Sequence, residues 1–174
     1  MIPDQFTTER LAVCHWQVEV SEAGRLSALT AELATVLTPA VLEPLPPSMQ
    51  VEETPSGMTD WIAARKTESD VLLVRLRQNN QLIGLLILAS EPEDQAAPAI
   101  HLGYLFAERA WGCGYATELV SGFIAACGTS RAIRFLAGVE HSNPASARVL
   151  QKSGFTRSSA HSTDDTDMYV CDIS

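Results

Sequence analysis

Gly103-Tyr-Leu-Phe-Ala-Glu-Arg-Ala-Trp-Gly-Cys-Gly-Tyr-Ala-Thr-Glu118 joins a β-prone run to a helix-prone run through a turn with two glycines. Upstream of it, Ile100, Leu102, Tyr104 and Phe106 alternate onto one face of a predicted strand over 100–106. Downstream, Tyr115 to about Cys127 reads as a helix. Between them, Gly112 and Gly114 let the backbone bend and present consecutive N–H groups. The helix start adds its unpaired amides and partial positive charge. Together these make a seat for a pyrophosphate that needs no lysine; a plain tight turn accounts for the same glycines. A Walker A loop requires a Gly-Lys-Ser/Thr ending, and no lysine follows Gly114. A dinucleotide fingerprint requires a third glycine where Thr117 stands, and an acidic residue about 20 residues on. Glu140 comes too late for that role.

Working outward, Val71 to Arg77 and Gln81 to Ser90 are apolar and β-prone, with a hairpin turn at Asn79-Asn80. Thr8 to Val20 carries pieces of an opening strand, and Leu26, Leu29, Leu33 and Leu37 mark a helix over Glu22–Leu37. The next segment, to Gly57, holds Pro39, Pro44, Pro46, Pro47 and Pro55 and predicts a long surface loop with at most a short helical turn. A short helix around Thr59–Thr67 puts Trp61 and Ile62 inward. Glu91 to Pro98 reads as a polar connection, Arg134 to Glu140 as a strand, and Pro144 to Ser153 as a helix ended by Gly154. Phe155 onward and Met168 to Ile173 complete the strands. The class is α/β (α+β), in a single domain over residues 1–174.

With 46% hydrophobic and 19% charged residues in 174, the chain suits one globular domain burying about two-thirds of its unfolded surface. No apolar run approaches the ~20 residues of a membrane span. No signal peptide is visible in MIPDQFTTERLAV, so the expected location is the cytoplasm. Cys14, Cys113, Cys127 and Cys171 lack metal-site spacing, so no metal is expected. A net charge of −9 argues against nucleic-acid binding.

Arg109-x-x-Gly112-x-Gly114 matches the Q/R-x-x-G-x-G/A loop of GNAT acetyltransferases. The surrounding stretch resembles the GYxLxPxxWGxGYATE pattern of the RimJ/RimL-like branch, with Glu108 in place of the proline. Asn143-Pro-Ala-Ser-Ala-Arg-Val-Leu-Gln-Lys-Ser-Gly-Phe155 resembles that branch's NxxSxRVxxKxGF, and Thr8-Glu-Arg-Leu11 its TERL start. Linked motifs at this separation are far more specific than either alone. The resemblance implies a GNAT fold: a twisted mixed sheet of six to seven strands with about four helices, splayed between the strands at 100–106 and 134–140. It also implies that acetyl-CoA is bound, with its acetyl group passed directly to an amine in a ternary complex.

On that resemblance, the amides of Trp111, Gly112, Cys113, Gly114, Tyr115 and Ala116 hold the pyrophosphate, with Arg109 at the loop entrance. The strand from Gly103 through Leu105 and Phe106 pairs with the pantetheine arm, and one of its amides faces the thioester carbonyl. Such a donor to a developing oxyanion is typically worth about 3–4 kcal/mol. The side chains of Tyr104 and Phe106 read as core packing. Asn143 has two compatible readings, a helix N-cap ahead of Pro144 and, as the resemblance implies, a pantetheine ligand. Ser146, a turn later, either donates to the leaving thiolate or packs against the sheet.

The base and acid expected from the family fall on Gly138 and Leu150, which can serve as neither. Glu140 shares the strand face of Gly138 and is the nearest carboxylate, either a base acting through water or a solvated strand-end charge; His141 adjoins it. An α-amine of pKa near 7.8 is about a tenth neutral at pH 7, whereas a lysine amine costs about 4–5 kcal/mol to deprotonate. Missing acid and base groups therefore point toward an acceptor with a low-pKa amine, such as a protein N-terminus or a small amine. The same gap leaves a non-catalytic acyl-CoA-binding domain as the alternative. A homodimer is compatible with the sequence, but no feature calls for one.

Overall fold

The computed structural model describes residues 1–91, 99–128 and 132–174. Its spine is the strand β3 (Asp70–Leu76) and its hairpin partner β4 (Leu82–Ser90). Asn80 turns this hairpin at φ 59°, and the register slips by a bulge at Val74/Arg75. In β3 Leu72 and Val74 feed one apolar cluster while Val71 and Leu73 feed the other. Period-two alternation therefore gives the sheet a core on each face.

β5 (Ala99–Phe106) lies antiparallel to β4, and β6 (Ile133–Glu140) parallel to β5. The edges are built by β1 (Gln5–Thr7) and β2 (Leu11–His15) on one side and β7 (Thr156–Ser158) and β8 (Thr166–Ile173) on the other. The eight strands run in the order β1-β2-β3-β4-β5-β6-β8-β7. One face is covered by α5 (Tyr115–Ala126) and α6 (Pro144–Lys152), where Phe123 meets the ring of Phe135 edge-on at 5.4 Å. The opposite face is covered by α2 (Ala23–Val36) and α4 (Gly57–Glu68), with Leu29, Leu33, Val36 and Trp61 buried there. Arg75 of β3 clamps Glu32 of α2 through contacts of 2.6 and 2.9 Å.

The predicted elements lie within a few residues of those observed, and the sheet gains one strand over the upper expectation. β1 is only three residues long, too short for a periodic signal. The one-turn helix α1 (Gln17–Ser21) escapes for the same reason, while α3 (Pro39–Leu42) is the short helical turn allowed for in the proline-rich segment. The proline-rich segment is less of a surface loop than expected. Val41 and Leu42 are buried, Leu45, Met49 and Val51 pack on the α2–α4 core, and Gln50 Nε2 donates to the carbonyls of Leu42 and Leu45. The connection expected over 91–98 lies, apart from Glu91, outside the described residues. Among the described residues no helix is long and apolar enough to cross a membrane.

Candidate active site

The site begins where two central strands part. β5 and β6 share registered pairs only between Ala99–His101 and Arg134–Leu136. Beyond that, β5 stays on β4 as far as Phe106, while β6 stays on β8 as far as Glu140. The sheet therefore opens into a V. Which main-chain groups face the opening follows from alternation. Ala99 O accepts from Glu91 N, and Ala107 N donates to Ile83 O, so the odd-numbered residues between them turn their N–H and C=O toward β4. The backbone groups of Tyr104 and Phe106 then face the V, and the Phe106 carbonyl takes the Trp111 indole N–H at 2.8 Å. Leu105 lines the same cleft, but its backbone groups belong to the β4 ladder.

The V leads to the glycine turn. Gly112 and Gly114 sit at φ 71° and 81°, the left-handed region that costs other residues about 1–2 kcal/mol. Gly114 is the N-cap of α5, with no side chain to cap it. Among the described residues, no hydrogen bond leaves the amides of Gly112, Cys113, Gly114, Tyr115, Ala116 or Thr117. That is an open row of donors at a helix N-terminus. Trp111 differs from expectation: its amide is already bonded to Glu108 O at 3.0 Å, because Glu108–Ala110 forms a 3-10 turn. The row of unbonded amides thus begins one residue later than the row predicted and extends to Thr117.

A far segment of chain braces this turn. Thr8 Oγ1 donates to Glu118 Oε1 at 2.6 Å, the Arg10 amide reaches the same oxygen at 2.8 Å, and Arg10 Nε reaches Oε2 at 2.6 Å. The Arg10 guanidinium also donates to Cys113 O at 3.0 Å and lies 4.4 Å over the Tyr115 ring. The Tyr115 ring also stacks with that of Phe106, their centroids 6.5 Å apart. Burial pushes the Glu118 carboxyl up, but the bonds from Thr8 and Arg10 outweigh it and hold the group below the ordinary carboxylate value. The Thr8–Leu11 and Tyr115–Glu118 motifs are therefore one assembly. α5 comes this close because Gly122 has no Cβ; one there would collide with Thr8 Cγ2.

α6 supplies the other wall. Asn143 Oδ1 caps it, accepting from the Ser146 amide at 3.1 Å, with Pro144 at the first helical position. The Ser146 hydroxyl lies 2.6 Å from that of Tyr104, across the V. Burial pushes the Tyr104 phenol up, and the Ser146 bond draws it only partly back. The sequence reading gave the Tyr104 side chain to the core; the structure puts its hydroxyl in the cleft. Its place in an alternating apolar strand hides this, and only the tertiary meeting with α6 reveals it.

Gly112, Gly114, Tyr115, Ala116, Asn143 and Ser146 all line one cleft of about 520 Å³, along with Phe106 and the Trp111 ring. Val41, Pro44 and Leu45 of the proline-rich segment close its far end. Arg109, Cys113 and Glu140 do not line it. The Arg109 guanidinium is turned into the scaffold, donating to Thr35 O at 3.1 Å and Leu82 O at 2.6 Å. Cys113 leaves an exposed thiol 3.5 Å from Trp111 O. Glu140 ends β6 in solvent, with Ser142 Oγ 3.3 Å from its carboxylate. Gly138 offers no side chain, its place on β6 flanked by Thr166 and Met168 of β8, and Leu150, 1% exposed, is packed in the α5–α6 core. His141 reaches Asp167 at 3.2 Å, and Arg157 pairs with the same carboxylate at 2.6 Å. Among the described residues no group of three or more His, Cys, Asp or Glu could hold a metal ion.

Known proteins share this architecture. RimL, a ribosomal L7/L12 alpha-N-protein acetyltransferase solved with coenzyme A, is 20% identical with a TM-score of 0.60, covering 99% of this chain and 97% of its own. A GNAT-family acetyltransferase from Bacillus anthracis is 18% identical with a TM-score of 0.63, covering 97% of each chain. Spermidine N-acetyltransferase from Vibrio cholerae, in complex with CoA and spermine, is 15% identical with a TM-score of 0.64, covering 94% of this chain and 95% of its own. At these identities the likeness speaks for the fold. No curated protein sequence matches. The family model described as an acetyltransferase (GNAT) domain matches residues 20–156, most of the chain. The chain belongs to the GNAT acetyltransferase family.

Proposed function

We propose that this protein, a single acetyltransferase domain over residues 1–174, carries the acetyl group of acetyl-CoA to a primary amine by direct attack in a ternary complex. The observation that carries the reading is the open row of amides from Gly112 to Thr117, leading into the V between β5 and β6. Those amides suit the diphosphate. The Tyr104 and Phe106 main chain suits the pantetheine arm, and the Asn143 amide nitrogen is left for the same arm once its Oδ1 caps α6. The amine lone pair forms the C–N bond, the C–S pair leaves on sulfur, and one amine proton passes to water. A β5 amide facing the carbonyl and the Ser146 hydroxyl near the sulfur serve the charges that develop. Holding both substrates in one cleft supplies much of the rate.

The acceptor we favour is a low-pKa amine, a protein N-terminus or a small amine, in a RimJ/RimL-like enzyme. Gly138 and Leu150 offer neither base nor acid, and Glu140 stands outside the cleft. Those same observations favour a second reading, a non-catalytic acyl-CoA-binding domain. Calorimetry with acetyl-CoA, followed by a thiol-release assay across N-terminal peptides, polyamines and amino acids, separates them. Both readings predict binding. Only the enzyme releases CoA thiol in step with an acceptor, and failure with every amine leaves the binding domain.

A further inference from the structure

The side-chain hydroxyls of Tyr104 and Ser146 each make a single hydrogen bond among the described residues, and it is to each other. Two hydroxyls joined by one bond leave one O–H unengaged, so the direction of the bond decides which group can serve a third partner. A phenol is a better donor than an alkyl hydroxyl, and an alkyl oxygen the better acceptor, so Tyr104 donates and the Ser146 O–H is left over. Burial strengthens this polarity by keeping the Tyr104 phenol protonated through the working range. Ser146 is also fixed from behind, its amide held by Asn143 Oδ1. Its remaining freedom is rotation of one O–H inside the cleft that both residues line. Leu150 cannot supply a proton donor there, being apolar and buried in the α5–α6 core.

We propose that Tyr104 is a positioning residue for acetyl transfer: it holds the Ser146 oxygen so that the serine O–H points at the departing sulfur. This rests on the acetyl-CoA reading above. As the C–S bond breaks, its electron pair stays on sulfur and is stabilised by the Ser146 O–H; the thiolate takes its proton afterwards from water. No proton leaves Tyr104.

The test needs no knowledge of the acceptor. CoA bound to the wild type, Tyr104→Phe, Ser146→Ala and the double variant is titrated through its thiolate absorbance, with CoA affinity measured by calorimetry in parallel. A hydrogen bond to the thiolate lowers the titration midpoint, so Ser146→Ala raises it by about one pH unit. Tyr104→Phe raises it by about half as much, the double variant matches Ser146→Ala, and CoA affinity changes less than about twofold. A wild-type midpoint in Tyr104→Phe overturns the proposal, as does a double variant showing the sum of the two increments. If the wild type itself fails to bind CoA, the cofactor reading falls and the proposal with it; failure of the proposal alone leaves wild-type binding intact.

Discussion

The α5–α6 side of the sheet, with the parting strands β5 and β6, and the α2–α4 side owe their shapes to different forces. In the first region the decisive features are backbone states: left-handed Gly112 and Gly114, an α5 start capped by a glycine, an α6 start capped by Asn143, and a strand pair that parts after its first few residues. In the second the decisive feature is burial. Trp16 meets Trp61 edge-on at 6.5 Å, and Leu29, Leu33 and Val36 are excluded from solvent. A site made of main-chain geometry leaves fixed residues at fixed spacing. A wall made by burial accepts many apolar residues, so it leaves composition and little else.

The comparison can be broken with single substitutions, beginning with the largest effect. Leu33→Ala, at a fully buried position, should destabilise the fold by about 2–5 kcal/mol in chemical denaturation. The protein that remains folded should bind CoA as before; a matching loss of affinity would mean that the two faces are not separable. Gly114→Ala should do the reverse. It forces a side chain into a φ of 81°, costing about 1–2 kcal/mol, and by distorting the amide row should weaken CoA binding roughly tenfold.

Glu118 offers a pH test of the brace between the regions' shared edge and the turn. Its folded pKa lies below the unfolded value, so its contribution to stability is present above the ordinary carboxylate range, about 4.3, and is lost as pH falls through the lower folded value. Thermal unfolding followed from pH 6 downward should show an acid-limb loss below about pH 4 that Glu118→Gln flattens. A variant with the wild-type acid limb would remove Glu118 from the brace. The smallest effect belongs to Arg109→Ala. Because that guanidinium bonds Thr35 and Leu82 carbonyls, stability should fall by about 1 kcal/mol while CoA affinity holds within about twofold. A large affinity loss would return Arg109 to the cofactor side.

What was legible in the sequence follows the same division. The hairpin at Asn80, the strand–turn–helix around Gly112 and Gly114, and the Asn143–Pro144 cap are local, and each was read within a few residues. The structure adds the links between distant segments. Thr8 and Arg10 could be seen as part of a motif, but not as partners of a carboxylate 110 residues from Thr8. Tyr104 lay in an apolar alternation that spoke for packing, and its meeting with Ser146 depends on how α6 lies across the V. The family resemblance places Trp111 and Arg109 with the amide row; a 3-10 turn engages the Trp111 amide, and the carbonyls of Thr35 and Leu82 hold the Arg109 side chain. The prolines marked a loop, while its burial came from Val41, Leu42, Leu45 and Met49, too irregularly spaced to read as a face.

Main-chain nitrogens are the proposed ligands of the diphosphate, and they can be observed one by one. Amide resonances of the nitrogen-15-labelled protein should be followed while CoA is added. The amides of Gly112, Gly114, Tyr115, Ala116 and Thr117 should shift most and saturate with the calorimetric affinity, while those of Arg109 and Glu140 stay nearly still. CoA binding that leaves the 112–117 amides unmoved would contradict it.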